Sequence, residues 1–152
     1  MLKINVFPLA ESPGRIVSRT HNLMKLGMSR VFAAHGFNIT PEHWAILSVL
    51  WEAEGLNQAE LARRVFKDRP NITRILDVLE RNGFIRRVPD PNDRRSYNVH
   101  LTGEGKGVQG KLTPLVMKFL QKAFSGMTQK ELEAFLRMNE HIAKNLSSSL
   151  EG

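Results

Sequence analysis

The stretch from Asn57 to Thr102 constrains the fold of this 152-residue chain more than any other part. It opens with Asn57-Gln58-Ala59-Glu60, which has the form of a capping box: an Asn cap, with a Glu at the third helical position able to reach back to the cap amide. The helix it starts ends near Phe66. Asp68 caps the next helix, with Arg69 and Pro70 in its first turn, and Ile72, Ile75, Leu76 and Leu79 fall at the spacing of one buried face. Asn82-Gly83 ends it as a left-handed C-cap. The chain then returns as strands near Ile85 to Val88 and Arg95 to Leu101, with Asp90-Pro91-Asn92-Asp93 at the turn between them. Tyr97, Val99 and Leu101 alternate with Ser96, Asn98 and His100, as a half-buried strand requires. Two capped helices leading into a hairpin describe a winged helix-turn-helix.

Charge follows the same boundaries. Between Arg63 and Arg95 stand ten Lys and Arg against five Asp and Glu, a balance of +5, so most of the chain's net +7 sits in one short region. A face for a polyanion is the simplest reason to concentrate charge in that way, and double-stranded DNA is the expected partner. A chain with no cysteine excludes disulfides, thiolate nucleophiles, cysteine-ligated zinc and thiol redox sensing. The start, Met1 to Pro8, is too short and interrupted for a signal-peptide core, and no run approaches the ~18 apolar residues of a membrane span. The expected setting is the cytoplasm, with no membrane partner.

Outside the winged module the pattern is helical. An apolar arm, Leu2 to Leu9, precedes Ser12-Pro13, an N-cap with proline at the first helical position. The helix that follows runs to about Gly36 with Ile16, Leu23, Val31 and Phe32 as its stripe, and Gly27 weakens it by roughly 1 kcal/mol relative to alanine. Thr40-Pro41-Glu42 opens a second helix to Glu54, apolar on nearly every side, which predicts a strut covered on two faces. After Thr102 the run Gly103, Gly105, Gly107, Gly110 makes a poor, mobile helix start. A helix from Leu112 to Phe124 closes at Gly126, and Thr128-Gln129-Lys130-Glu131 is a second capping box, opening a last helix striped with Leu132, Phe135, Leu136, Ile142, Leu146 and Leu150. The fold expected is mainly α with a small β-wing. A winged helix-turn-helix at 37–102 is flanked by N- and C-terminal dimerisation helices at 1–36 and 103–152, whose apolar faces a homodimer would bury.

In the helix after Asp68 the buried face leaves Arg69, Asn71, Thr73, Arg74 and Asp77 toward solvent. Arg donates bidentately to guanine, Asn pairs with adenine, and Thr offers a hydroxyl to phosphate and a methyl to thymine. Pro70 lacks an amide proton, but its neighbours' amides and the helix dipole suit a phosphate. At the hairpin, Arg94 is the expected wing-tip contact to a minor groove, with Arg95 as the alternative. Arg86 and Arg87 are phosphate contacts or structural pairs for Asp90 and Asp93. The bland readings are a solvated helix face and a charged edge strand that blocks aggregation. Element order favours DNA over both, and over a winged-helix module that binds another protein, whose exposed helix face would be apolar or acidic.

These residues resemble a known family. Gln58-Ala59-Glu60-Leu61-Ala62, Asp68-Arg69-Pro70-Asn71-Ile72-Thr73-Arg74, Leu79-Glu80-Arg81-Asn82-Gly83, and Asp90-Pro91-Asn92-Asp93-Arg94-Arg95 leading to Leu101-Thr102 are similar to the MarR family of transcriptional regulators. The resemblance implies a single MarR-type domain, and a triangular homodimer on a pseudo-palindromic operator, repressing nearby genes and often released by small phenolic or aromatic anions. It also implies an effector site between the first, second and fifth helices, which offers Arg19, His21, Met28, His43, Trp44 and Met117 as lining, with Arg19, His21 or Arg30 to receive a carboxylate; the four residues expected to bind a ligand are Arg19, His21, His43 and Trp44. Each has packing as its default explanation. Two features depart from the pattern: Phe66-Lys67 stands where a small or apolar linker is usual, and the glycine-rich helix start is looser.

Other signals point to no further chemistry. Gly105-Lys106-Gly107-Val108-Gln109-Gly110 spells the dinucleotide fingerprint, but the preceding strand belongs to an arginine-rich hairpin and no parallel strand follows. His21, His35, His43, His100 and His141 show no metal-ligand spacing, and no nucleophile, base and metal constellation suggests an enzyme or a cofactor.

Overall fold

The structure, a computed structural model, describes residues 8–150; most of the apolar arm, Leu2 to Phe7, lies outside them. A 3-10 turn, Leu9–Glu11, leads into α1 (Pro13–Ala34), α2 (Pro41–Glu52), β1 (Leu56–Asn57), α3 (Gln58–Arg64), α4 (Arg69–Arg81), β2 (Ile85–Pro89), β3 (Tyr97–Leu101), α5 (Gly103–Gly107), α6 (Gln109–Ala123) and α7 (Gln129–Leu150). The chain divides into two compact units, Met1–Phe119 and Leu120–Gly152.

The first unit closes around Phe32 of α1, Ile46, Leu47 and Leu50 of α2, Leu61 of α3, Ile72, Leu76 and Leu79 of α4, Ile85, Val99 and Leu112, each essentially inaccessible to solvent. Full burial of such side chains stabilises by roughly 1.5–3 kcal/mol apiece, so this core dominates the unit's stability. The strut reading of α2 holds, with His43, Ile46, Leu47 and Leu50 buried and Trp44, Val49 and Trp51 half-buried on other sides.

The sheet has three strands in the order β1-β3-β2, all antiparallel, with β3 in the centre. Pairing sets Ile85 against Leu101 and Pro89 against Tyr97, so the wing is in register from base to tip. β1 has no counterpart in the sequence reading, because two residues carry no periodicity. It pairs Leu56 with Val99 and so ties the wing back to the start of α3.

Capping differs in detail from expectation. Ser12 is extended before Pro13, but its side chain makes no capping hydrogen bond. At α3, Asn57 Oδ1 accepts from the Glu60 amide at 2.9 Å, while the return bond from the Asn57 amide to Glu60 is not made. A reciprocal box stands at α2 instead, where Thr40 Oγ1 accepts from the His43 amide at 3.3 Å and the Thr40 amide donates to His43 Nδ1 at 3.0 Å. Histidine there takes the place usually held by Glu or Gln.

Both glycine expectations for this unit change once neighbours are seen. A Cβ on Gly27 would come within 2.5 Å of the Phe119 ring, so the residue that weakens α1 by propensity permits its close approach to α6. The expected loose start after Thr102 is anchored at Gly105. Thr102 Oγ1 accepts from the Gly105 amide at 3.0 Å and donates to the Gly83 carbonyl, and Trp51 Nε1 donates to the Gly105 carbonyl at 2.9 Å. Gly105 is buried, and a Cβ there would collide with the Phe84 carbonyl oxygen. Of the fingerprint-like glycines, Gly105 thus serves backbone packing beside an antiparallel sheet, while Gly107 and Gly110 face open space.

In the second unit, Gly126 adopts φ +86° and Thr128 opens α7 with the expected box. The Thr128 amide donates to Glu131 Oε2 at 2.7 Å, and the Glu131 amide donates to Thr128 Oγ1 at 3.3 Å. The bond from the Thr128 amide, and then one from the Thr128 hydroxyl to Oε2 at 2.9 Å, hold the Glu131 carboxyl below its ordinary pKa. Phe124 and Phe135 meet edge to face at 5.6 Å. No residue of α7 is buried, and Leu136, Met138, Ile142, Leu146 and Leu150 lie open. Among the described residues no helix is long and apolar enough to cross a membrane.

Candidate nucleic-acid interface

α4 presents its polar face as a pre-arranged chain of hydrogen bonds. Asp68 Oδ1 accepts from the Asn71 amide at 2.9 Å, and Asp68 Oδ2 accepts from Asn71 Nδ2 at 2.9 Å. Asn71 Oδ1 in turn accepts from Arg74 Nη2 at 3.1 Å. Both ends of the Asn71 amide are thus engaged within the helix, and its effect is to aim the exposed Arg74 guanidinium. Thr73 is half-buried, donating to the Arg69 carbonyl at 3.1 Å and accepting from Gln58 Nε2 of α3 at 3.3 Å. Arg69, Pro70 and Arg74 are exposed on this face.

The phosphate site expected at the N-terminus of α4 is partly filled by the protein itself. Asp68 takes the Asn71 amide with its side chain and the Ile72 amide with its carbonyl, and Pro70 has no amide proton to offer. A carboxylate at that end satisfies the helix dipole that would otherwise draw an anion. The exposed cationic groups of this face are the Arg69 and Arg74 side chains.

On the wing, successive residues of β2 point to opposite faces, and this separates the two arginines that the sequence treated alike. Arg86 is exposed. Arg87 turns back onto α4, where Nη2 donates to Asp77 Oδ1 at 2.6 Å, Nε to Glu80 Oε2 at 3.1 Å and the main-chain amide to the same oxygen at 3.0 Å. Hydrogen bonds from Arg87 to Glu80 and then Asp77 raise its pKa further above an already high value. Its expected partners, Asp90 and Asp93, do other work. Asp90 Oδ1 accepts from the Asn92 amide at 2.8 Å and Asp93 Oδ1 from the Arg95 amide at 2.9 Å, which folds the tip and leaves the Arg94 and Arg95 side chains outward. The sequence signal for the brace was the Asp77/Glu80 spacing, which places both carboxylates on one face of α4.

A second brace runs from α2. Glu42 Oε1 accepts from Lys67 Nζ of the α3–α4 linker at 3.1 Å and pairs with Lys25 Nζ of α1 at 3.7 Å. The hydrogen bond from Lys67, with the charges of Lys67, Lys25 and Arg74, lowers the Glu42 pKa. Beside it lies a cavity of about 180 Å³ lined by His21, Lys25, Glu42, Ile46, Lys67 and Ile75, among others. Of the four residues named for a ligand, only His21 lines this space. Arg19 is exposed outside it, His43 is buried as a cap residue with its pKa lowered chiefly by burial, and Trp44 packs between Phe32 and Trp51 at 6.3 and 5.3 Å. Met117 is exposed, as is Arg30, and Met28 is half-buried. Glu54 supports the far end of the wing, accepting from the Leu101 amide at 3.0 Å and pairing with Lys106 at 3.4 Å.

Residues 39–97, from just before α2 to the start of β3, match the model of the MarR family. The chain is 31% identical over 122 residues to an uncharacterised HTH-type transcriptional regulator, YkoM, of Bacillus subtilis (strain 168), covering 80% of this chain and 78% of the relative. The chain belongs to the MarR family. Among solved MarR-like structures, the transcriptional repressor CouR bound to a 23-mer DNA duplex superposes with a TM-score of 0.80 at 28% identity, covering 94% of this chain and 99% of CouR. The regulator PcaV from Streptomyces coelicolor, in complex with its natural ligand, gives 0.79 at 26% identity, covering 95% and 98%. The protein is thus a MarR-type transcriptional regulator with a winged-helix fold, mainly helical with a small antiparallel sheet.

Proposed function

We propose that this regulator binds a pseudo-palindromic operator as a homodimer, represses nearby genes, and is released by a small aromatic or phenolic acid. The observation that carries the reading is the exposed Arg74 guanidinium, aimed by Asn71 and Asp68 on a helix otherwise sealed into the core. Each α4 enters a major groove, the two copies about one helical turn (roughly 10 base pairs) apart. Arg74 donates to a guanine edge, Asn71 positions it, and Arg69 and Arg86 meet phosphates. Arg94 and Arg95 reach the flanking minor groove from the wing tip. Arg87 fixes the wing to α4, so that groove-reading helix and wing move as one piece. CouR, a similar repressor with DNA bound, supports the same use of this fold. The basic and polar α4 face argues against a protein partner at this surface.

For release, an aromatic carboxylate competing for Lys25 and Lys67 in the cavity beside Glu42 would act on the linker that precedes α4. Differential affinity for the two linker arrangements is what shifts the equilibrium. The apolar faces left open on α1 and α7 are the surfaces a second copy would cover. The primary test is fluorescence anisotropy of the purified protein on its own upstream DNA across a salt series, with a scrambled duplex as control. Tight binding preferring the upstream duplex, with a steep salt slope, supports the reading; weak and equal binding to both removes it. Benzoate and hydroxybenzoates then probe release on the same duplex.

A further inference from the structure

Phe66 is the most conspicuous residue that the reading above leaves unused. It lies in the linker between α3 and α4, is 77% exposed, and adopts φ +52°, the only positive φ at a non-glycine among the described residues. A bulky residue in that region is strained, and such strain persists where the surroundings hold it. Here the hold is visible: the Phe66 amide donates to the Arg63 carbonyl at 3.4 Å, the Lys67 amide to the Ala62 carbonyl at 2.9 Å, and Lys67 Nζ to Glu42 at 3.1 Å. The two backbone bonds are those of a Schellman C-cap ending α3, which puts Phe66 at the left-handed position and leaves its ring in solvent.

We propose that Phe66 is a specificity-determining residue that packs against the 5-methyl group of a thymine at the edge of each half-site. This rests on α4 entering the major groove. Phe66 precedes Arg69 by three residues, so its Cα lies within about 11 Å of that of Arg69, comparable with the roughly 12 Å width of the groove. Its neighbours in the chain include the exposed Arg63, Arg64 and Arg69 beside the single acid Asp68, a net positive setting that favours a polyanion over a basic or apolar protein surface. In a major groove the thymine methyl is the apolar feature an aromatic ring can read.

The test uses the full-length protein and a duplex enriched by it from a random pool. Each thymine of that duplex is replaced in turn by deoxyuridine, which removes only the methyl group. Binding is measured for the wild type and for Phe66→Asn, since asparagine tolerates the left-handed backbone and lacks the ring. The expected result is one symmetric pair of positions where loss of the methyl weakens wild-type binding about fourfold per half-site, the effect of exposing one such group. The variant is insensitive at those positions, is dimeric like the wild type, and melts no lower. Equal deoxyuridine effects in both proteins, binding by the variant within twofold of wild type, or loss of the dimer in the variant would each overturn the assignment. Failure of the pool to enrich any sequence would instead remove the DNA-binding reading on which it rests.

Discussion

α4 and α7 carry the same kind of sequence signal and meet opposite fates. Each has an apolar stripe at helical spacing, yet Ile72, Ile75, Leu76 and Leu79 of α4 are sealed against α2, α3 and the sheet, while Leu136, Ile142 and Leu146 of α7 stay open. Periodicity therefore reports that a helix has a face to bury and says nothing about what buries it. In α4 the partner is local in the chain. In α7 it is not found within the chain's own unit, and that difference separates a helix whose apolar face the fold covers from one whose apolar face stays open.

The sharpest way to break this contrast is a pair of truncations. Leu76→Ala removes packing inside the core and is expected to cost about 2–5 kcal/mol in urea unfolding at any protein concentration. Leu146→Ala, 59% exposed, is expected to leave the monomer's stability nearly unchanged while moving the onset of a concentration-dependent unfolding midpoint to higher protein concentration. Equal, concentration-independent losses in both would abolish the distinction and the dimer reading with it.

Next in size is the polar face of α4. Arg74→Ala is expected to lose about 1–3 kcal/mol on the upstream duplex and little on scrambled DNA, without a change in melting temperature. An equal loss on both duplexes would assign Arg74 to phosphate and not to bases. The wing offers a finer contrast between two arginines. Arg87→Ala is expected to destabilise the fold by up to about 1 kcal/mol, since Asp77 and Glu80 are partly exposed and solvent screens the pair. Arg94→Ala should leave stability alone and make the salt dependence of DNA binding shallower. Interchanged phenotypes would reverse the roles given to these residues.

The smallest effect is the response to acid at α2. Burial lowers the His43 pKa below 6.5, with Glu42 raising it and Arg74 lowering it to lesser degrees. The native state therefore binds fewer protons than the unfolded chain, so this contribution is complete above pH 6.5 and is lost as pH falls toward the lowered value. Protonation also removes the lone pair that accepts the Thr40 amide. His43→Gln keeps an acceptor at that position, and its melting temperature should decline less than that of wild type between about pH 7.5 and pH 5.5. Parallel curves would free His43 of any part in the acid response.

Much of the winged module was legible from sequence because its signals are local. The Asp68 cap, the stripe Ile72 to Leu79, the Asn82-Gly83 stop and the alternation through Val99 and Leu101 each fix a short segment by backbone stereochemistry and period alone. The candidate interface was legible as a set of residue types, but not as a set of tasks. Asn71 and Thr73 look alike as polar residues on an exposed face until the structure shows both already bonded within the protein. The four ligand residues scattered because a cavity depends on three helices meeting, and no single helix's pattern encodes where its neighbour lies.

The sequence by itself determined the order of the main helices and the two wing strands, the basic region and the family, since these depend on contacts within a few residues and on composition. Only the tertiary structure decided that Arg87 braces and Arg86 is presented, that Asp68 partly fills the anion site at its own helix, that Gly27 and Gly105 are demanded by an aromatic ring and a carbonyl, and that Phe66 is held strained in the open. The physical reason is the same in each case. A side chain's chemistry is set by its identity, but whether that chemistry is spent inside the protein or offered outside is set by what long-range packing brings within hydrogen-bond or van der Waals reach.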